Sequence, residues 1–158
     1  MRKLLFLFLV LMCGCTSIDC PVQTLVRTYY SLHKADESTD TLKDTLYIVS
    51  FRTDGTDTLL LNALIGQTSF SLPIGYANPE DTLYFVFRNS PFYAVDMVLL
   101  KKENLPHFES VDCSATFFHN ITAIRSTHHA IDSISINNPS VTYDADTENF
   151  FLYLKSHD

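Results

Sequence analysis

Apolar and polar positions alternate along this chain in short runs, each closed by Gly, Pro, Asn or Asp. Such alternation sends successive side chains to opposite faces, so each run reads as a strand with one face toward a core. Val22, Val26 and Tyr30 suggest the first strand, and the polar stretch 34–44 reads as a loop. Tyr47, Val49 and Phe51 alternate next, before the hairpin-type turn Thr53-Asp54-Gly55-Thr56. Runs 59–65 and 69–74 follow, then the turn Pro79-Glu80-Asp81. Leu83, Phe85 and Phe87 alternate with Tyr84, Val86 and Arg88, the cleanest period of two in the chain. Runs 93–100, 117–124, 131–136, 141–143 and 150–154 complete the set. Beyond the first 14 residues no stretch sustains helical spacing. Many short strands separated by turn residues predict an all-β domain, an antiparallel β-sandwich of immunoglobulin-like general shape. A small β-barrel is the alternative. The small number of strands of spanning length argues against a membrane barrel.

The N-terminus breaks the pattern. Arg2 and Lys3 precede an unbroken apolar run, Leu4 to Met12, of nine residues. That length suits an export signal and is too short for a permanent span. The run ends in Met12-Cys13-Gly14-Cys15, which resembles the lipobox of bacterial lipoproteins, with Met12 where Leu is usual. Gly14 supplies the small residue a signal peptidase needs before the cut, and Cys15 becomes the lipidated residue. Cutting before Cys13 would put bulky Met12 at the scissile position. The expected organisation is a signal peptide over 1–14, an acylated N-terminus and tether over 15–22, and a single β domain over 23–158. Each buried methylene contributes about 0.8 kcal/mol, so three acyl chains hold a protein effectively permanently. With neither an Asp directly after Cys15 nor a dense acidic run there, the expected location is the periplasmic face of the outer membrane.

Composition agrees with a packed, exported domain. The chain has 158 residues, 46% of them apolar and 18% charged, enough for one core and short for two. Its formal charge is -7 and it has no basic patch, which excludes nucleic acid as a partner. Removing Arg2 and Lys3 from eleven basic side chains leaves nine against eighteen acidic ones, a formal charge of -9. With Cys13 removed and Cys15 lipidated, Cys20 and Cys113 remain. An even pair in an oxidising compartment reads as one disulfide, contributing about 4 kcal/mol by the chain-entropy model. Two buried thiols are the alternative.

Candidate chemistry is sparse. Asp followed by Thr or Ser and then an apolar residue occurs at Asp40-Thr41-Leu42, Asp44-Thr45-Leu46, Asp57-Thr58-Leu59, Asp81-Thr82-Leu83 and Asp132-Ser133-Ile134. From this composition random placement gives roughly one occurrence. A turn-forming Asp, a strand-forming Thr and a first core residue explain the pattern structurally. The tripeptide also resembles the O-glycosylation sequon of Bacteroides-type bacteria, which makes Thr41, Thr45, Thr58, Thr82 and Ser133 candidate glycan acceptors. Both explanations can hold together. Asn120-Ile121-Thr122 fits an N-glycan acceptor pattern but reads as strand. His107, Asp112, His119, His128 and His129 lack the spacing of metal ligands, and His128-His129 reads as a solvated loop. Asp144, Asp146 and Glu148 could approach a cation, but the loop lacks the ligand count and glycine of an EF-hand and reads as a turn. No Gly-x-Ser-x-Gly elbow and no protease-like Cys occurs. With no Trp in the chain, Tyr29, Tyr30, Tyr76 and Tyr93 are weak material for a sugar platform.

The lipobox, the start Ile18-Asp19-Cys20-Pro21, the second cysteine at 113 and the run Asp132-Ser133-Ile134-Ser135-Ile136 together resemble a family of small lipoproteins of Bacteroides-group bacteria, the domain of unknown function DUF6452. The resemblance covers most of the mature chain. It implies an envelope location and a β fold, and carries over no catalytic residue and no cofactor. Three functional classes follow as expectations. The first is a non-catalytic envelope lipoprotein with a protein partner such as an outer-membrane barrel. The second is a binding module for a glycan or small molecule. The third is a hydrolase with an unobvious site. The absence of a catalytic constellation favours the first.

Overall fold

A computed structural model describes Cys20, residues 26–51 and residues 57–156. Ten strands run in chain order: β1 (Arg27–His33), β2 (Thr45–Phe51), β3 (Asp57–Leu64), β4 (Ser69–Pro73), β5 (Glu80–Asn89), β6 (Phe92–His107), β7 (Thr116–Ser126), β8 (Ile131–Ile136), β9 (Ser140–Val141) and β10 (Phe150–Leu154). They form a four-stranded sheet, β4-β1-β10-β8, and a six-stranded sheet, β3-β2-β5-β6-β7-β9. Only β1 and β10 pair in parallel, with Tyr30 opposite Phe150; the other pairings are antiparallel. The expected all-β sandwich is the observed architecture.

The alternation does the sorting. Leu46, Ile48, Leu83, Phe85, Phe87, Val98 and Leu100 turn inward from the large sheet and are buried. They meet Tyr30, Leu32, Phe70, Leu72, Ile131, Phe150 and Leu152 of the small sheet. At the centre Tyr30 stacks between Phe70 and Phe150, each 4.8 Å away between ring centroids, with Phe85 edge-on at 6.2 Å. Burying one such ring contributes roughly 1.5–3 kcal/mol. The three stacked rings all come from the small sheet, and Phe85 of the large sheet joins the two layers through its edge-on contacts with Tyr30 and Phe70.

Three boundaries differ from the sequence pattern. The polar stretch 34–44 is not wholly solvated. Leu42 is buried in the core, and its amide bonds the Gln67 carbonyl while its carbonyl accepts from Gly66, at 2.9 Å each. β6 continues to His107 instead of stopping near Leu100, because its inward positions turn polar at Lys102 and Asn104 and so hide the continuing strand. The run 141–143 contracts to the two-residue strand β9. The hairpin turn expected over 53–56, the start of the first strand expected at Val22, and the expected signal peptide with Cys15 lie outside the described residues.

β6 and β7 form a long hairpin that extends beyond the sandwich, with a bulge between Lys101 and Lys102. Its tip is tied to the N-terminal side of the domain by a disulfide between Cys20 and Cys113, whose Cα atoms lie 5.5 Å apart. The disulfide expectation is met and the free-thiol alternative set aside. At the other end of the hairpin, residues 127–130 carry the chain from β7 in the large sheet to β8 in the small one.

Candidate functional site

The outer face of the six-stranded sheet is one of the places where apolar side chains stay at least half uncovered. The phase that sends Leu46, Ile48, Phe85 and Phe87 inward sends Tyr47, Val49, Phe51, Tyr84 and Val86 outward. Strand register then aligns them in rows: Tyr47, Val86 and Val95 in one, and Leu59, Val49, Tyr84 and Met97 in the next. Phe51 is 50% exposed and Tyr93 60% exposed. Phe51 meets the Tyr84 ring at 4.7 Å and a right angle. Val49, Phe51, Tyr84, Val86, Tyr93 and Val95 line a shallow groove of about 360 Å³. At one end the Arg88 guanidinium lies 5.5 Å from the Tyr47 ring centre and 5.4 Å from that of Tyr93. Cation–π attraction of this kind holds the guanidinium in place, and its N–H groups take no hydrogen-bond acceptor among the described residues. Contiguous exposed apolar surface on a soluble domain is a mark of an interaction site.

The enclosed ionisable groups Lys102, His119 and Asp96 are used structurally. Lys102 has no side-chain exposure and is paired with Asp81 at 2.5 Å. His119, also buried, lies across the ladder from Asn104, and its Nδ1 is 2.8 Å from the Asn104 Oδ1. Asn104 donates its amide to the Tyr76 carbonyl at 2.8 Å, which fixes Oδ1 as an acceptor and places a proton on His119 Nδ1. Burial, and then the nearby Lys102 charge, push the His119 pKa down to about 4, so the ring is neutral at neutral pH. This polar belt fastens the hairpin across its bulge, and the Lys102 ammonium offers a ligand no access.

Asp96 is a second buried ion, and it is fully enclosed. One carboxylate oxygen accepts from the Thr127 hydroxyl at 2.8 Å and the His129 amide at 2.7 Å, with His129 Nδ1 at 3.2 Å. The other accepts from the amides of Ala130 and Ile131 at 2.7 and 2.8 Å. Thr127 Oγ1 in turn accepts from the Met97 amide at 2.9 Å. Burial pushes the Asp96 pKa up, but the backbone donors outweigh it and hold the carboxyl below its ordinary value. Asp96 is therefore the clamp of the corner where the chain changes sheets. The signal for it was its phase: Asp96 shares the inward positions of Val98 and Leu100, where a charge must find partners.

The other candidates fall in separate places. His128 and His129 lie on that corner: the His129 side chain is exposed, while the His128 carbonyl accepts from Lys155 at 2.6 Å. His107 stacks on Phe118 at 4.2 Å and bonds Glu109 at 3.1 Å, away from His119. Asp144 accepts from the Asp146 amide and the Thr147 hydroxyl, which closes a turn. Among the described residues no three His, Cys, Asp or Glu converge as metal ligands. The four tyrosines considered for a platform are dispersed. Tyr30 is in the core, Tyr29 is half-buried, Tyr76 stacks on Phe117 at 4.6 Å, and only Tyr93 reaches the outer face. The groove's aromatic members are instead Phe51, Tyr84 and Tyr93.

In the five tripeptides the apolar member is buried at Leu42, Leu46 and Leu83 and half-buried at Ile134. Leu59 is the exception: it is exposed on the outer face beside Val49. Thr41, Thr58 and Ser133 are exposed, whereas Thr45 and Thr82 are half-buried. Thr45 is thus less open than its position beside the polar loop suggests, because it already belongs to β2.

No curated protein and no solved structure matches the chain. A family model does match over residues 45–154, which takes in β2 through β10 and so the whole outer face, the corner and the hairpin. The chain belongs to the family of unknown function DUF6452.

Proposed function

We propose that this protein is an envelope lipoprotein, acylated on Cys15 at the periplasmic face of the outer membrane, and that it works as a non-catalytic binding module. The observation that carries the binding role is the uncovered apolar face of the six-stranded sheet, with Arg88 held between two tyrosines at its end. The occupant is an outer-membrane protein that presents an apolar patch with a carboxylate at its rim. Arg88 supplies the complementary charge, and the membrane anchor keeps module and partner in one layer. A second copy is disfavoured by the formal charge of -9 on each mature chain, nine basic side chains against eighteen acidic ones. Val86→Glu, which changes an outward side chain and leaves Phe85 and Phe87 in the core, should abolish co-purification of that membrane protein at an unchanged unfolding midpoint. Undiminished co-purification would remove the face from consideration.

The groove favours a second reading as a glycan-binding surface, because the Phe51, Tyr84 and Tyr93 rings offer faces on which a sugar could stack.

Covalent modification belongs to the same proposal. The exposed Thr41, Thr58 and Ser133 are the preferred glycan acceptors, ahead of the half-buried Thr45 and Thr82. Intact-mass measurement of the protein from its native membranes should show a chain beginning at Cys15, carrying acyl chains and additional hexose mass. Cys15→Ser should lose the acyl mass and leave the membrane fraction. A wild-type mass equal to the acylated polypeptide would leave the tripeptides as strand-entry signals alone. A mature chain without lipid would end the lipoprotein reading.

A further inference from the structure

We propose that the tip of the β6–β7 hairpin is a membrane-contact site that dips into the phospholipid leaflet holding the acyl anchor. The inference rests on the acylation of Cys15 proposed above. The disulfide places Cys113, and with it the tip, beside Cys20. Only four residues lie between Cys15 and Cys20, five peptide steps in all. Fully extended they span at most about 18 Å. With the 5.5 Å across the disulfide added, the Cys113 backbone at the tip lies within about 24 Å of the anchored cysteine's backbone, whatever path they take.

The side chains at the tip suit such a contact. Phe108 is 64% exposed and Val111 98% exposed, with Leu105 also uncovered on the strand behind them. The turn Ser110–Cys113, closed by the Cys113 amide on the Ser110 carbonyl at 3.2 Å, displays Val111 at its apex. Just behind stand two exposed tyrosines. Tyr76 stacks on Phe117, and Tyr143 meets Phe118 edge-on at 5.0 Å. Phe117 and Phe118 are neighbours on a strand and so point to opposite faces, which puts a tyrosine on each side of the hairpin. Apolar residues at a point, with tyrosines behind them, match the order of environments from acyl chain to headgroup. The carboxylates of Glu109 and Asp112, the former bonded to His107, limit the depth to the headgroup boundary. Two exposed apolar side chains bind a membrane weakly by themselves. An anchor within reach turns that weak contact into an intramolecular one at high effective concentration. The consequence is orientation: the long hairpin stands on the leaflet, and the outer sheet face is presented sideways to proteins embedded in it.

The chain has no tryptophan, so Phe108→Trp and, separately, Tyr93→Trp each introduce a single tryptophan, excited apart from the tyrosines at the long-wavelength edge of its absorption. Tyr93 lies near the opposite end of β6. Each acylated full-length variant is placed in phosphatidylethanolamine-rich vesicles with and without brominated acyl chains. Phe108→Trp is expected to shift to shorter emission wavelength and lose most of its intensity to brominated lipid, while Tyr93→Trp changes in neither respect. If the protein floats with the vesicles but neither variant is quenched, the anchor stands and tip insertion is wrong. If both are quenched alike, the domain lies on its side and tip-first contact is overturned. If the acylated protein does not float at all, anchor and tip contact fall together.

Discussion

Asp96→Asn is expected to unfold this domain at markedly lower temperature or denaturant than wild type, although it changes one atom and leaves the outer face untouched. The carboxylate accepts from Thr127, His129, Ala130 and Ile131 with no exposure to water. An amide replaces one acceptor with a donor, which would point at N–H groups and leave them unsatisfied in the interior. Hydrogen bonds to a buried charge contribute about 1.5–3 kcal/mol each and are not additive, so a net loss of about 3–5 kcal/mol is expected. For a domain of this size that lowers the melting midpoint by about 10 °C or more. Asp36, exposed and bonded only to its neighbour Ser38, is the control: Asp36→Asn should leave the midpoint unchanged. Acid should act in the same direction on wild type, in two stages. His119 titrates near 6.5 when unfolded and at about 4 when folded. Between those values the unfolded chain binds the extra proton, so stability falls as pH drops through that window. Asp96 is held below its ordinary 3.8, so its contribution is intact above that value and is lost as pH falls beneath it. Asp96→Asn should abolish the second stage and keep the first. A variant as stable as wild type at neutral pH would mean that the corner does not depend on this clamp.

Opening the disulfide is the second large effect. The sequence separation between Cys20 and Cys113 is 93 residues, and a loop of that size constrains the unfolded chain by about 4–5 kcal/mol in the chain-entropy model. Reduction, or the double change Cys20→Ser and Cys113→Ser, should shift the urea midpoint down by an amount of that order. It should leave the β-sheet circular dichroism at neutral pH in place, because the aromatic stack and the corner clamp are elsewhere. It should also free the hairpin tip from the N-terminal segment, so the membrane contact of Phe108 weakens even though the anchor persists. An unchanged midpoint would show that the bridge adds nothing to the ordering that packing already supplies.

Most of the sheet architecture was legible in the alternation, because a strand with one buried face must repeat every second residue. Leu83 through Arg88 told their own orientation, and the same phase that assigned Phe85 and Phe87 to the core assigned Tyr84, Val86 and Arg88 to the outer face. The gathering of that face into a groove was not legible. It depends on which strands become neighbours: β2, β5 and β6 are adjacent by topology, and a single sequence does not state the register that sets Val49 beside Tyr84. The polar core positions were misleading for the opposite reason. Lys102 and Asn104 look like the end of a strand, and only Asp81 and His119, brought by other strands, make them acceptable inside. The cysteine pair was readable from counting and compartment. What it ties together, an apolar hairpin tip to the N-terminal segment at Cys20, needed the fold.

The central claim, that the outer face of the six-stranded sheet holds a partner in the envelope, is tested most directly by site-specific photo-crosslinking in living cells. A crosslinking side chain at Val86 samples the groove, and one at Ser71, on β4 of the other sheet, samples the opposite layer. The account predicts one discrete adduct from position 86, with the same integral outer-membrane protein each time, abolished by replacing Arg88 with Glu, and none from position 71. Adducts of equal intensity from both positions, or an adduct from 86 composed of two copies of this chain, would contradict it.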